Sequence, residues 1–133
     1  GCEVVAIFYY GPEYQMVDLE KSRDYSGRAC ESGSGSSCQY LAGVLAREKN
    51  TKKAKRYWEI GCNEHKHMGC CQVAGQFFLE KYKDKGSTSA LSNARDFFHT
   101  GCKEVRNAHG RKDVWTCNKL AEVEKLQASG QKK

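Results

Sequence analysis

One proline, Pro12, stands in the 133 residues, and no apolar run approaches the roughly 20 residues that a helix needs to cross a bilayer. A chain so poor in proline and rich in Ala, Glu, Lys, Leu and Gln favours helices over a β-sandwich. Catalytic signatures are missing too. No two cysteines have C-x-x-C spacing, which argues against a thioredoxin-type redox pair. S-D-N, K-T-G and G-x-S-x-G do not occur, and the one S-x-x-K, Ser129 to Lys132, is expected in a polar tail with no helix to position it. His99 and His109 have no evident partner in sequence, and Asp18 with Glu20 look like helix-start residues rather than an acid/base couple. The chain is therefore expected not to be an enzyme and to need no cofactor. No nucleic-acid-binding motif is present, so nucleic acid is not an expected partner.

Cysteine, by contrast, is abundant. Eight in one domain-sized chain point to an oxidising compartment: periplasm, secretory route or mitochondrial intermembrane space. The first residue is Gly1 and no signal peptide is visible, as expected of a processed or incompletely represented chain. Net charge is +6, from 22 basic and 16 acidic residues. Most charges alternate in sign along helical stretches, with a basic cluster at Lys52, Lys53, Lys55 and Arg56. Solvated helix faces explain that pattern, with an acidic partner or an anionic membrane surface as the alternative. A mean hydropathy of -0.74 is thin for a compact core, but an elongated array of small helical units tolerates it.

The cysteines reveal an internal repeat. Read leftward from Cys30, Cys62 and Cys102, the phrases "SRDYSGRAC", "AKRYWEIGC" and "ARDFFHTGC" superimpose, with Tyr25, Tyr57 and Phe97 five residues before the cysteine. Read rightward from Cys38, Cys70 and Cys117, "CQYLAG", "CCQVAG" and "CNKLAE" superimpose, with Leu41, Val73 and Leu120 at the third position. Offsets of three, four, seven and eight share one helix face. After Cys70 that stripe reads Val73, Ala74, Phe77 and Phe78. The first cysteine thus closes one helix and the second opens another. Helices are expected near 2–10, 19–31, 37–48, 52–63, 69–83, 92–103 and 116–127.

The paired anchors lie eight apart in two units (30 to 38, 62 to 70) and fifteen apart in the third (102 to 117). Antiparallel hairpins bring such positions within disulfide reach, predicting Cys30–Cys38, Cys62–Cys70 and Cys102–Cys117. Cys2 and Cys71 are left unpaired within the chain. Cys2 fits the opening of a second helix, and Cys71 reads as a buried free thiol, with a further pairing or a reactive thiol as alternatives. The stretch "CNEHKHMGCC", residues 62 to 71, offers His65, His67 and Met68 as ligands for a metal or haem. Its counterpart "CESGSGSSC" keeps the flanking cysteines but has neither histidine nor methionine. The shared feature is a staple, so no metal is expected.

An αα unit with a cysteine closing its first helix and another opening its second, followed by L-A-G or V-A-G, resembles the cysteine-rich Sel1-like repeat proteins. The phrase "KSRDYSGRACESGSGSSCQYLAGVLA" carries the likeness most fully. It spans about residues 1 to 126, as a half repeat over 1–16, repeats near 17–48, 49–84 and 88–128, and a polar tail over 129–133. One branch of that family comprises mitochondrial cytochrome c oxidase assembly factors, the other bacterial periplasmic or secreted proteins. The glycine-rich turn between bacterial repeats is replaced here by "REKNTKKA" and "KDKGSTSALSNA", which looks closer to the mitochondrial branch. The resemblance implies an all-α, TPR-like superhelix of stapled antiparallel hairpins in a single domain. It also implies a scaffold in the intermembrane space that engages protein partners within a large respiratory complex. The alternatives are a bacterial protein with β-lactam-binding or weak hydrolase activity and a haem- or metal-handling protein. Tyr9, Tyr10, Tyr14, Trp58 and Trp115 are candidate surface aromatics, with core packing the expected role for Trp58.

Overall fold

The computed structural model describes residues 15–131, which form six helices and no strand. They are α1 (Gln15–Glu31), α2 (Gly35–Arg47), α3 (Thr51–Glu59), α4 (Met68–Lys85), α5 (Thr88–Lys103) and α6 (Val114–Gln131). Helix α3 continues into a five-residue π turn, Ile60–Glu64. The helix expected near 2–10, with Cys2, Tyr9, Tyr10 and Tyr14, lies outside the described residues. None of the helices is long and apolar enough to cross a membrane.

Local chemistry sets the boundaries. Ser34, Asn50 and Ser87 cap α2, α3 and α5 by accepting from the amides of Ser37, Lys53 and Ala90. Such a cap satisfies one of the orphan donors of the first turn. Ser87 therefore starts α5 at Thr88, four residues before the expected position. Helix α4 stops at Gly86, whose φ of 69° suits a residue without a Cβ. Helix α6 runs past the expected end at 127, because neither glycine nor proline interrupts it before Gly130. Ser129 accordingly sits on a helix rather than in an unstructured tail. The extra residues of the third hairpin lengthen its loop, 104–113, as expected. There Asn107 Oδ1 accepts from the amides of His109 and Arg111.

Each helix packs on the next in sequence, most extensively α4 on α5, and α2 also packs on α4. The π turn touches α1 and α5, so the first helices of the hairpins are neighbours and the second helices lie behind them. Trp58, Phe77, Phe78 and Phe97 form a continuous aromatic seam through the middle. Its ring centroids are 5.1 Å apart for Trp58–Phe77 and 6.0 Å for the stacked pair Phe78–Phe97. Trp58 is buried, which is the core role expected of it.

Three disulfides staple the hairpins: Cys30–Cys38, Cys62–Cys71 and Cys102–Cys117, with Cα–Cα distances of 4.6, 4.9 and 4.7 Å. The middle pair corrects the expectation. Cys62 bonds Cys71, and Cys70 is the free cysteine among the described residues. The reason is one residue of register. In the π turn the His65 amide reaches the Ile60 carbonyl, five residues back, at 3.1 Å, and this wide turn takes up one additional residue. Helix α4 then begins at Met68, making Cys71 its fourth residue (68 to 71). Cys38 and Cys117 are likewise fourth in their helices (35 to 38 and 114 to 117). The buried stripe after Cys71 is Ala74, Gly75, Phe78 and Leu79, whereas Val73 is 39% exposed instead of core.

Candidate functional site

The stretch from Cys62 to Cys71 lies where three hairpins meet, and its polar side chains tie them together. His65 Nε2 is 2.6 Å from the carbonyl oxygen of Cys30, an acceptor near the end of α1 that the Gly33 amide also reaches, at 3.1 Å. Nε2–H is therefore the donor. His67 packs its ring on Gly35, where a Cβ would come within 2.3 Å of it, and its Nε2 is 3.2 Å from Gln39 Oε1. Met68 Sδ faces the Thr116 hydroxyl at 3.6 Å. Each proposed ligand thus reaches a different neighbour. Among the described residues, no three His, Cys, Asp or Glu side chains converge as a metal site.

Cys70 occupies a position with counterparts. Ser37, Cys70 and Thr116 are the third residues of α2, α4 and α6, and all three are buried. The Cys70 thiol donates to the Gly35 carbonyl at 3.3 Å. Thr116 Oγ1 donates to Asp113 at 2.8 Å. That bond, with the Thr116 amide and the Gln72 amide group, holds the Asp113 carboxyl below its usual range. Burial pushes the Cys70 thiol up to about 12, far from the thiolate that nucleophilic chemistry needs. The free thiol is a packing group.

Glycines before the first cysteine of a pair let this packing close. A Cβ on Gly61 would meet Cys70 Sγ at 2.3 Å and Cys38 Cβ at 3.0 Å. One on Gly101 would meet Thr116 Cγ2 at 2.8 Å and Cys71 Cβ at 3.0 Å. Each glycine therefore seats its helix on the staple of the preceding hairpin. Cys38 and Cys71 play the same part in these two contacts, as the shifted register requires.

The surface alternative to this stapled junction is the face made by α1, α3 and α5. Two grooves flank α3 there. One, of about 370 Å³, runs between α1 and α3, with Gly27, Leu41, Leu45 and Tyr57 among its lining residues and Arg28 and Lys53 on its walls. The other, of about 310 Å³, runs between α3 and α5 and is lined by Lys55, Asn63, Asn93, Phe97, His99 and Thr100, among others. His99, without a sequence partner, thus belongs to a groove wall, whereas His109 lies exposed in the long loop. Trp115 is 45% exposed and packs edge-on against Phe98 at 6.0 Å. Sequence reasoning found Lys53 and Lys55 but missed the amides Asn63 and Asn93. They carry no motif, and only the packing of the π turn against α5 sets them on one groove. No family model matches the chain, and no curated protein or solved structure is significantly similar to it.

Proposed function

We propose that this chain is a disulfide-stapled helical-repeat scaffold that binds other proteins, and that it serves a respiratory complex such as cytochrome c oxidase from the intermembrane space. The observation that carries the reading is the open face of α1, α3 and α5, on which two grooves flank one helix. Parallel grooves between stacked helices offer a partner side chains and main chain several points of attachment without a closed pocket. The recurrence of staple, seating glycine and third-position packing group supports a repeat array of TPR-like hairpins. Three disulfides fit an oxidising compartment. The respiratory role and the intermembrane space rest on the resemblance to the mitochondrial branch. Catalysis has no support in the site: the free thiol is buried, and the histidines of the staple bond to backbone and side chains of neighbouring helices.

The test is affinity capture from detergent-solubilised mitochondrial inner membranes under oxidising conditions. Oxidase subunits are expected to co-purify with the native chain and to be lost when it is reduced. His109→Ala, in the exposed 104–113 loop, should retain capture within about twofold, the range of small surface changes. Recovery of no respiratory component, beside a saturable turnover abolished by one substitution, would overturn the reading.

A further inference from the structure

We infer that the ridge of α3 binds an acidic, extended protein segment that crosses from the α1–α3 groove to the α3–α5 groove. The inference rests on the scaffold reading and names the chemistry of its partner. Lys52, Lys53, Lys55 and Arg56 fall within five residues, and none has an ion-pair partner among the described residues. Their placement is unfavourable in isolation. Lys52 and Lys53 lie in the first turn of α3, which holds no acidic residue, although the helix dipole there favours negative charge. A bound carboxylate would answer both the dipole and the four cations.

The directions follow from helical spacing. Ala54 and Trp58 face the core, leaving Lys52 and Arg56 exposed on the outer ridge. Lys53 lines the α1–α3 groove and Lys55 the opposite one. A segment crossing the ridge therefore meets cations on both flanks and on top. The grooves on either side differ in character. Gly27 and the half-buried Tyr57, over the buried Leu41 and Leu45, line the first and suit an apolar side chain, while Asn63 and Asn93 line the second and suit a peptide main chain, each amide offering a donor and an acceptor. These features favour a protein segment over a uniform polyanion. Asp24 and Glu31 in the first groove and Glu59 and Asp96 in the second stand beside the same cations, so they repel a continuous run of phosphates and admit only carboxylates spaced by uncharged residues. Crossing two interhelix steps of about 10 Å takes roughly six extended residues.

The experiment uses the oxidised full chain and a fluorescent peptide of about ten residues, alternating Glu and Leu, long enough to span the ridge. Fluorescence anisotropy compares it with the same peptide carrying Gln for Glu. The Glu peptide is expected to bind and the Gln peptide to bind about tenfold more weakly, with the difference shrinking as salt shortens the screening length. The variant K52Q/K53Q/K55Q/R56Q should lose about tenfold, as four exposed charges of a few tenths of a kcal/mol each would give. The charge-matched variant K103Q/R111Q/K112Q/K125Q should stay within about twofold, and circular dichroism checks that both remain helical. No binding of the Glu peptide, or equal loss in the two variants, would overturn the proposal. So would tighter binding to phosphatidylserine vesicles or to a DNA duplex. Captured oxidase subunits that the first variant retains in full would also sink it while leaving the scaffold reading intact. Peptide binding without such capture would do the reverse.

Discussion

Reduction of the three disulfides is expected to unfold the chain at 25 °C. In the chain-entropy account, loops closed by eight, nine and fifteen residues of separation each stabilise by about 2.5–3 kcal/mol, together about 8 kcal/mol. A domain of this size has a total stability of about 5–15 kcal/mol, so the loss is comparable with the whole. Small helical hairpins have little else to spare. The apolar core is a single seam around Trp58 and its phenylalanine neighbours, and the seven ion pairs among the described residues lie at exposed or half-exposed positions where each contributes little. Circular dichroism in excess dithiothreitol should show most of the helical signal lost, and restored on reoxidation. A reduced chain with a cooperative melt within a few degrees of the oxidised one would show that the seam alone suffices.

The hairpins and their outer staples were legible because three signals agree: a cysteine at a helix end, an aromatic five residues earlier, and an apolar stripe at offsets of three and four. The middle staple was not legible, and the reason is specific. From Cys70 the stripe is Val73, Ala74, Phe77 and Phe78; from Cys71 it is Ala74, Gly75, Phe78 and Leu79. Both are apolar, so periodicity ties. The counting rule that separates them is the start of α4, and His67 gives that start no side-chain cap to mark it. The π turn that moves the start is a tertiary accommodation, seating Gly61 on Cys38, and such a contact has no signature in the local sequence. The helix-face grooves were illegible for a similar reason: Asn63 and Asn93 are 30 residues apart (63 to 93) and meet only through packing.

Trp58→Ala is the second large effect. The indole is 1% exposed and contacts Phe77 and Phe78 at centroid distances of 5.1 and 6.1 Å. Removing it leaves a cavity in the seam that joins α3 to α4, at a cost of about 3–5 kcal/mol. Trp58→Phe should cost far less, about 1 kcal/mol, for a reason particular to this site. Trp58 Nε1 is buried without a hydrogen-bond acceptor among the described residues, so the smaller ring also removes an unsatisfied donor. Urea denaturation of the two oxidised variants separates the terms. Equal losses would mean that the indole N–H is bonded in the native protein.

Residues 62 to 71 form a staple in the shifted register, with Cys62 held by Cys71 and Cys70 left as an inert buried thiol, and the seating of α4 follows from it. Differential alkylation tests it. The oxidised chain is treated with iodoacetamide before and after denaturation in urea, then reduced, labelled with N-ethylmaleimide, and fragmented between the adjacent cysteines in a mass spectrometer. In the peptide spanning 62 to 71, the native protein should take up no carbamidomethyl, because burial keeps Cys70 protonated and out of reach. After denaturation, carbamidomethyl should appear on Cys70, with maleimide on Cys62 and Cys71. Carbamidomethyl on Cys71, with maleimide on Cys62 and Cys70, would contradict the register and the seating of α4 that follows from it.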